Sequence, residues 1–125
     1  MGKKFLLDTN AFIDFMGNKL PEIAKKELAK IIDEEINISV INKIELLGFE
    51  KVDQELIDFV SFSNIYQLDE TITELTIDVR KKYRIKLPDA IIAATALHYG
   101  FIFVTNNTMD FEKIKDIKLL NPYHI

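Results

Sequence analysis

Four carboxylates stand where an acid is either routine or catalytic. Asp8 closes the first apolar run, Glu45 shares a helical face with Ile41, Gly48 and Phe49, Asp89 heads an alanine-rich run, and Asp110 follows a polar turn. Singly, most have ordinary explanations: Asp is common in turns and caps, and an acid in a first helical turn complements the helix dipole. Glu45 resists that account, because an unpaired carboxylate on an apolar face is costly. Brought into one cleft, the four would repel and drift toward neutrality unless a cation compensated them. The chain has no Cys, and His98 and His124 have no partner at ligand spacing. The donors are therefore hard oxygens, which suit Mg2+ or Mn2+ rather than zinc. Ions so held can make water a nucleophile and neutralise a phosphodiester, with two metals ~3.5 to 4 Å apart in a fully assembled site.

The elements that must position these acids alternate between strand and helix. Lys4 to Leu7 reads as a short strand ending on Asp8, followed by a loop or short helix with Phe12, Ile13, Phe15 and Met16. Pro21 to Glu35 is a covering helix with a stripe of Ile23, Ala24, Leu28, Ile31 and Ile32. A strand over Ile36 to Val40 and a helix from Ile41 to about Glu50 carry Glu45. Asp53 caps a helix to about Phe62 with Leu56, Ile57 and Val60 inward, Asn64 to Leu68 is a strand, and Asp69 caps a helix to about Arg84. In that last helix Ile72, Leu75, Val79 and Tyr83 form the core stripe.

The segment Leu87 to Asn107 is the centre of the chain. Pro88 fits a first helical position and Asp89 its first turn. From Ala90 to Leu97 only Thr95 is polar, which predicts a helix buried nearly all round. Gly100 ends it, Phe101 to Val104 is a buried strand, and Thr105 to Thr108 is a polar turn before a short helix over Met109 to Phe111. Lys118 to Leu120 is the last strand, stopped by Asn121-Pro122. The alternation predicts an α/β fold, with a mostly parallel central sheet flanked by helices. In such sheets strand ends and the helix starts after them share one edge, so Asp8, Asp89 and the loop bearing Asp110 should converge there.

Composition narrows the class. A chain of 125 residues should form one domain over residues 1–125, and the absence of Cys agrees with a reducing, cytoplasmic setting. No apolar run is long enough to span a bilayer, so no membrane role is expected. The net charge of −4 lacks the basic excess of many nucleic-acid binders. Any polyanion must be held by bound cations or by a local patch. One such patch is the run Arg80, Lys81, Lys82, Arg84 and Lys86 just before Asp89, with Lys43 near Glu45 as a further phosphate contact. The same run also complements the end of its helix. Phe12, Phe15, Phe59 and Phe62 either pack the core or mark a partner surface.

Three segments, FLLDTNAFIDFM, ISVINKIELLGF and LPDAIIAATALHYGFIFVTNNTMDF, resemble in order and spacing the PIN-domain ribonucleases, most closely the VapC toxins of bacterial toxin-antitoxin pairs. The resemblance implies a PIN-like three-layer fold and a metal-dependent endoribonuclease. By that likeness Asp8, Glu45 and Asp89 match the three core metal-binding acids. The fourth falls at Asn107 in some members and at Asp110 in others; Asp110 is favoured here because Asn107 carries no charge. Thr9, Asn10 and Thr105 match polar positions lining the family's site. The family further implies RNA as substrate, Mg2+ or Mn2+ as cofactor, a homodimer, and an antitoxin covering the cleft. Two other readings compete: a receiver-like signalling domain, which also gathers acids at strand ends, and a catalytically idle PIN-like binding module.

Overall fold

The computed structural model describes residues 2–125. Among the described residues five short strands are interspersed with seven α-helices. The strands are β1 (Phe5–Leu7), β2 (Asn37–Ser39), β3 (Asn64–Tyr66), β4 (Ile102–Val104) and β5 (Lys118–Leu120). The helices are α1 (Thr9–Met16), α2 (Glu22–Glu34), α3 (Val40–Leu47), α4 (Gln54–Ser61), α5 (Glu70–Lys82), α6 (Leu87–Tyr99) and α7 (Thr108–Phe111). A 3-10 turn at Pro122–His124 follows the last strand. Among the described residues no helix is long and apolar enough to cross a membrane.

The backbone ladders form two groups, β1-β4-β5 and β2-β3, all parallel. β2 runs beside β1 without a shared ladder. Instead the completely buried amide of Asn37 joins them, donating to the Phe5 carbonyl at 3.0 Å. The spatial order is therefore β3-β2-β1-β4-β5. A receiver-like domain has the order 2-1-3-4-5, so this topology excludes that alternative.

Helix α6 supplies the central scaffold. Residues Ala90 to Ala96 are all buried, as the apolar run predicts, and Gly100 ends the helix in the left-handed conformation at φ 68°. A non-glycine residue there would be strained. Ala90, Ala93 and Ala96 of α6 join Leu6, Phe101, Phe103 and Phe111 in one core cluster, while a second gathers Leu7 of β1 and Ile38 of β2 with Phe12, Leu28 and Leu46 of α1, α2 and α3. Asp53 and Asp69 cap α4 and α5, accepting from the backbone N–H of Leu56 and Ile72 at 2.9 Å each.

Three sequence expectations need correction, and the phenylalanines left open between core and surface divide. Pro88 occupies the second helical position, because α6 already begins at Leu87. Ile23 and Ile57 lie exposed, although each continues an apolar stripe, since their helices turn only narrow faces inward: Ala24 and Leu28 on α2, Val60 on α4. Glu45 does not sit on a buried apolar face. The cap at Ser39 sets the phase of α3 so that Asn42 and Leu46 point inward and Glu45 is exposed. Phe12 is core and meets Phe59 edge to face at 6.0 Å between ring centres, whereas Phe62 is 79% exposed.

Candidate active site

The C-terminal edge of β1 and β4 is where the polar groups collect. Asp8 follows β1 directly and serves as N-cap of α1, which fixes its backbone in an extended conformation. Its carboxylate is 8% exposed and accepts four hydrogen bonds. Oδ1 takes the Thr9 backbone N–H at 2.9 Å and the Asn42 amide at 3.3 Å; Oδ2 takes the Thr105 hydroxyl at 2.7 Å and the Asn10 amide at 3.0 Å. Thr105 is delivered by β4, whose register places Val104 beside Leu7. It is completely buried, and its hydroxyl also receives the Asn107 backbone N–H at 3.0 Å.

Glu45 reaches the same cleft from α3, its Oε1 accepting the Thr9 hydroxyl at 2.7 Å. Asp89 stands half-buried in the first turn of α6. Asp110, on the short helix α7, is exposed and accepts from the Asn107 amide at 2.7 Å. Asn107 and Asp110 are thus hydrogen-bonded neighbours at one corner of the cleft rather than alternatives at separate places.

The electrostatics agree with convergence. Burial pushes the Asp8 carboxyl above the ordinary aspartate value of 3.8, and the charges of Glu45 and Asp89 push the same way against the Thr105 and Thr9 hydrogen bonds. Burial likewise raises Asp89, with Asp110 and then Glu45 adding to it while Lys86 opposes. Asp8 and Asp89 therefore each feel other acids of the set. The ion pairs found among the described residues, Lys4 with Glu35 and Lys30 with Glu27, lie elsewhere.

An all-oxygen set of this kind is what a hard divalent cation takes. As the side chains stand, no group of three or more His, Cys, Asp or Glu among the described residues is arranged to grip an ion. Both oxygens of Asp8 accept from protein donors, and Glu45 and Asp110 each have an oxygen that accepts from one. Of the basic residues, Lys86 is close enough to influence Asp89. Arg80, Lys81 and Lys82 are exposed in the last turn of α5; Arg84, also exposed, accepts from Lys113 through its backbone carbonyl. Lys43 is exposed on α3, and His98 and His124 are exposed away from the acids' hydrogen bonds.

Three side chains of this network escape a reading of the sequence. Asn42 sits completely buried between Asp8 and Thr9. Asn106 ties its backbone N–H to Asn10 at 3.1 Å and its amide to Asp14 at 3.4 Å. Tyr123 donates to the same Asp14 oxygen at 2.7 Å, joining the C-terminal turn to α1. Nothing in their spacing marks them; only the position of Asn42, three residues before Glu45 and three after a capping Ser39, carried a signal.

The model of one protein family, the PIN domain, matches residues 5–117. Comparison with curated proteins found no match. Among solved structures, the chain is similar to one from a toxin-antitoxin complex of Klebsiella pneumoniae, with 31% identity and a TM-score of 0.76 over 98% of this chain and 100% of that one. It is also similar to a chain of DNA-bound VapBC from Salmonella typhimurium, with 29% identity and a TM-score of 0.77 over 97% of this chain and 99% of that one. A third similar chain comes from VapBC2 of Rickettsia felis bound to a DNA fragment from the promoter. It shows 25% identity and a TM-score of 0.74, over 94% of this chain and 97% of that one.

Proposed function

The chain belongs to the PIN domain family, and on that premise we propose that it is a metal-dependent endoribonuclease acting as the toxin of a toxin-antitoxin pair. The observation that carries the reading is Asp8: a buried carboxylate fixed by four donors and raised by burial and by the charges of Glu45 and Asp89, the second of which is raised in turn by Asp110. The similarity to chains of toxin-antitoxin complexes supports the biological role.

In this reading Asp8, Glu45, Asp89 and Asp110 hold Mg2+ or Mn2+. A divalent cation there supplies charge neutralisation at the phosphodiester and acidifies an attacking water. The chain's own residues do the rest. Thr9, Asn10 and Thr105 hold Asp8 and Glu45 in place, and Asn107 orients Asp110. Lys43, Arg80, Arg84 and Lys86 contact RNA phosphates on the approach to the cleft. No histidine base or protein nucleophile is required, and hydrolysis leaves 5′-phosphate and 3′-hydroxyl ends. The working molecule is a cytoplasmic homodimer whose cleft an antitoxin covers. A groove lined by Phe15, Ile32, Phe59 and the exposed Phe62, near the ends of α1 and α4 and away from the acids, supports a protein partner.

The test is cleavage of single-stranded RNA by purified protein with Mg2+ or Mn2+. Activity should vanish in EDTA and fall steeply in D8N and D89N. Cleavage undiminished by EDTA would sink the mechanism. RNA or antitoxin binding without any cleavage would point instead to the idle binding module. Growth arrest on expression, relieved by a co-expressed antitoxin, tests the toxin role.

A further inference from the structure

Asn42 has no part in the four-acid scheme, yet it is completely buried beside it. Its amide is fixed in one orientation. Oδ1 accepts the Ser39 backbone N–H at 3.0 Å and closes the cap at the start of α3. A flipped amide would turn its NH2 to that N–H and its carbonyl to the Asp8 carboxylate, two pairings without a donor and acceptor. Nδ2 must therefore face the cleft, where its two hydrogens go to Asp8 Oδ1 at 3.3 Å and Thr9 Oγ1 at 3.1 Å. With a lone pair of the Thr9 hydroxyl so occupied, its single hydrogen is directed to Glu45 Oε1 at 2.7 Å.

We infer that Asn42 is a positioning residue that couples two acids of the site, holding Asp8 directly and Glu45 through the Thr9 hydroxyl, so that both meet an incoming cation in a preset relation. The order of donors runs one way: Ser39 N–H to Asn42, Asn42 to Asp8 and Thr9, Thr9 to Glu45. The two acids are carried by different elements, the cap of α1 and the body of α3. The cap that starts α3 is thus also the device that aligns its carboxylate with Asp8. This rests on the metal-site reading above and adds a residue to it.

The experiment measures Mn2+ binding by calorimetry without RNA, then kcat and KM on RNA, for wild type, N42D, T9V and T9S. N42D keeps an acceptor for the Ser39 N–H but loses both donors toward the cleft. Mn2+ affinity should fall about tenfold or more, the usual scale for removing a group that orients a metal ligand, and kcat should fall with KM little changed. T9V, which removes the Thr9 hydroxyl between Asn42 and Glu45 but leaves the Asn42 bond to Asp8 in place, should move both in the same direction by less, and T9S should restore them. N42D adds a buried charge, so its folding is checked by thermal unfolding in EDTA; if it does not fold, the T9V and T9S pair decides. Mn2+ binding and kcat of wild-type size in the folded variants would overturn the coupling while leaving the site intact. Wild-type protein that cleaves RNA without binding Mn2+ would overturn the site and the coupling together.

Discussion

The cleft has an inner half and an outer half, built on different principles. In the inner half Asp8 is buried and saturated: four donors from α1, α3 and the end of β4 hold it, and each donor belongs to an element fixed by the core. In the outer half Glu45 and Asp110 are exposed, each with one hydroxyl or amide donor, and Asp110 rides on a helix of 4 residues. The inner half is set by folding. The outer half leaves oxygens free to turn toward a ligand.

The contrast predicts unequal costs of removing the acids. D8N places an amide where Thr105 and Asn10 both donate, so it loses a ligand and also disrupts the orientation of its neighbours. A fall in kcat of about 10²–10³-fold is expected, the scale of removing one preorganised electrostatic group at a reacting centre. D110N removes charge but keeps an acceptor for Asn107, and a loss of about tenfold is expected, nearer the effect of a supporting group. Steady-state RNA cleavage at saturating Mn2+ measures both. Equal losses would show that the two halves do not differ functionally. If N107A costs more than D110N, the fourth role belongs to Asn107 rather than to the acid.

The same division explains what the sequence disclosed. The alternation of apolar runs with caps at Asp53 and Asp69 was enough for the order of elements and for a parallel sheet, and the all-apolar stretch after Asp89 was enough to bury α6. Asp8 and Asp89 were visible because strand ends and helix starts are local features. The face of Glu45 was misread, since Ile41, Gly48 and Phe49 mimic an apolar stripe while the Ser39 cap, with Asn42 as its partner, sets the true phase. Asn42, Asn106 and Tyr123 were not marked because their partners lie 34, 96 and 109 positions away. Such polar contacts leave no period in the chain.

A smaller effect separates the cleft from its approach. Lys86 moderates the charge at Asp89, whereas Arg80 lies exposed at the end of α5. If both grip phosphates, K86A and R80A should each weaken RNA binding a few-fold at low salt and reduce the slope of log K against log salt by about one. Filter binding with D8N protein in EDTA, where cleavage is suppressed, reads this directly. A slope unchanged in R80A would assign the basic run to its helix dipole alone.

The smallest expected effect concerns stability. Asp8 and Asp89 both titrate above 3.8 in the folded chain, chiefly through burial. At pH well below 3.8 both states are protonated and the pair contributes nothing. As pH rises past 3.8 the unfolded chain releases its protons first, so the folded state binds more of them, and stability falls with pH until the folded groups have ionised too. This is opposite to an aspartate held by a salt bridge, which stabilises on ionisation. Urea midpoints in EDTA should therefore carry a component that declines above about pH 4, the unfolded aspartate range. In D89N that component should shrink, because the variant removes one burial penalty and also the repulsion that Asp110 and Glu45 exert on it. Saturating Mn2+ should restore stability in wild type at neutral pH more than in D89N. Parallel pH profiles for the two proteins in EDTA would mean that Asp89 ionises as freely folded as unfolded, and that the half-buried acid belongs with the outer, solvent-set half of the cleft.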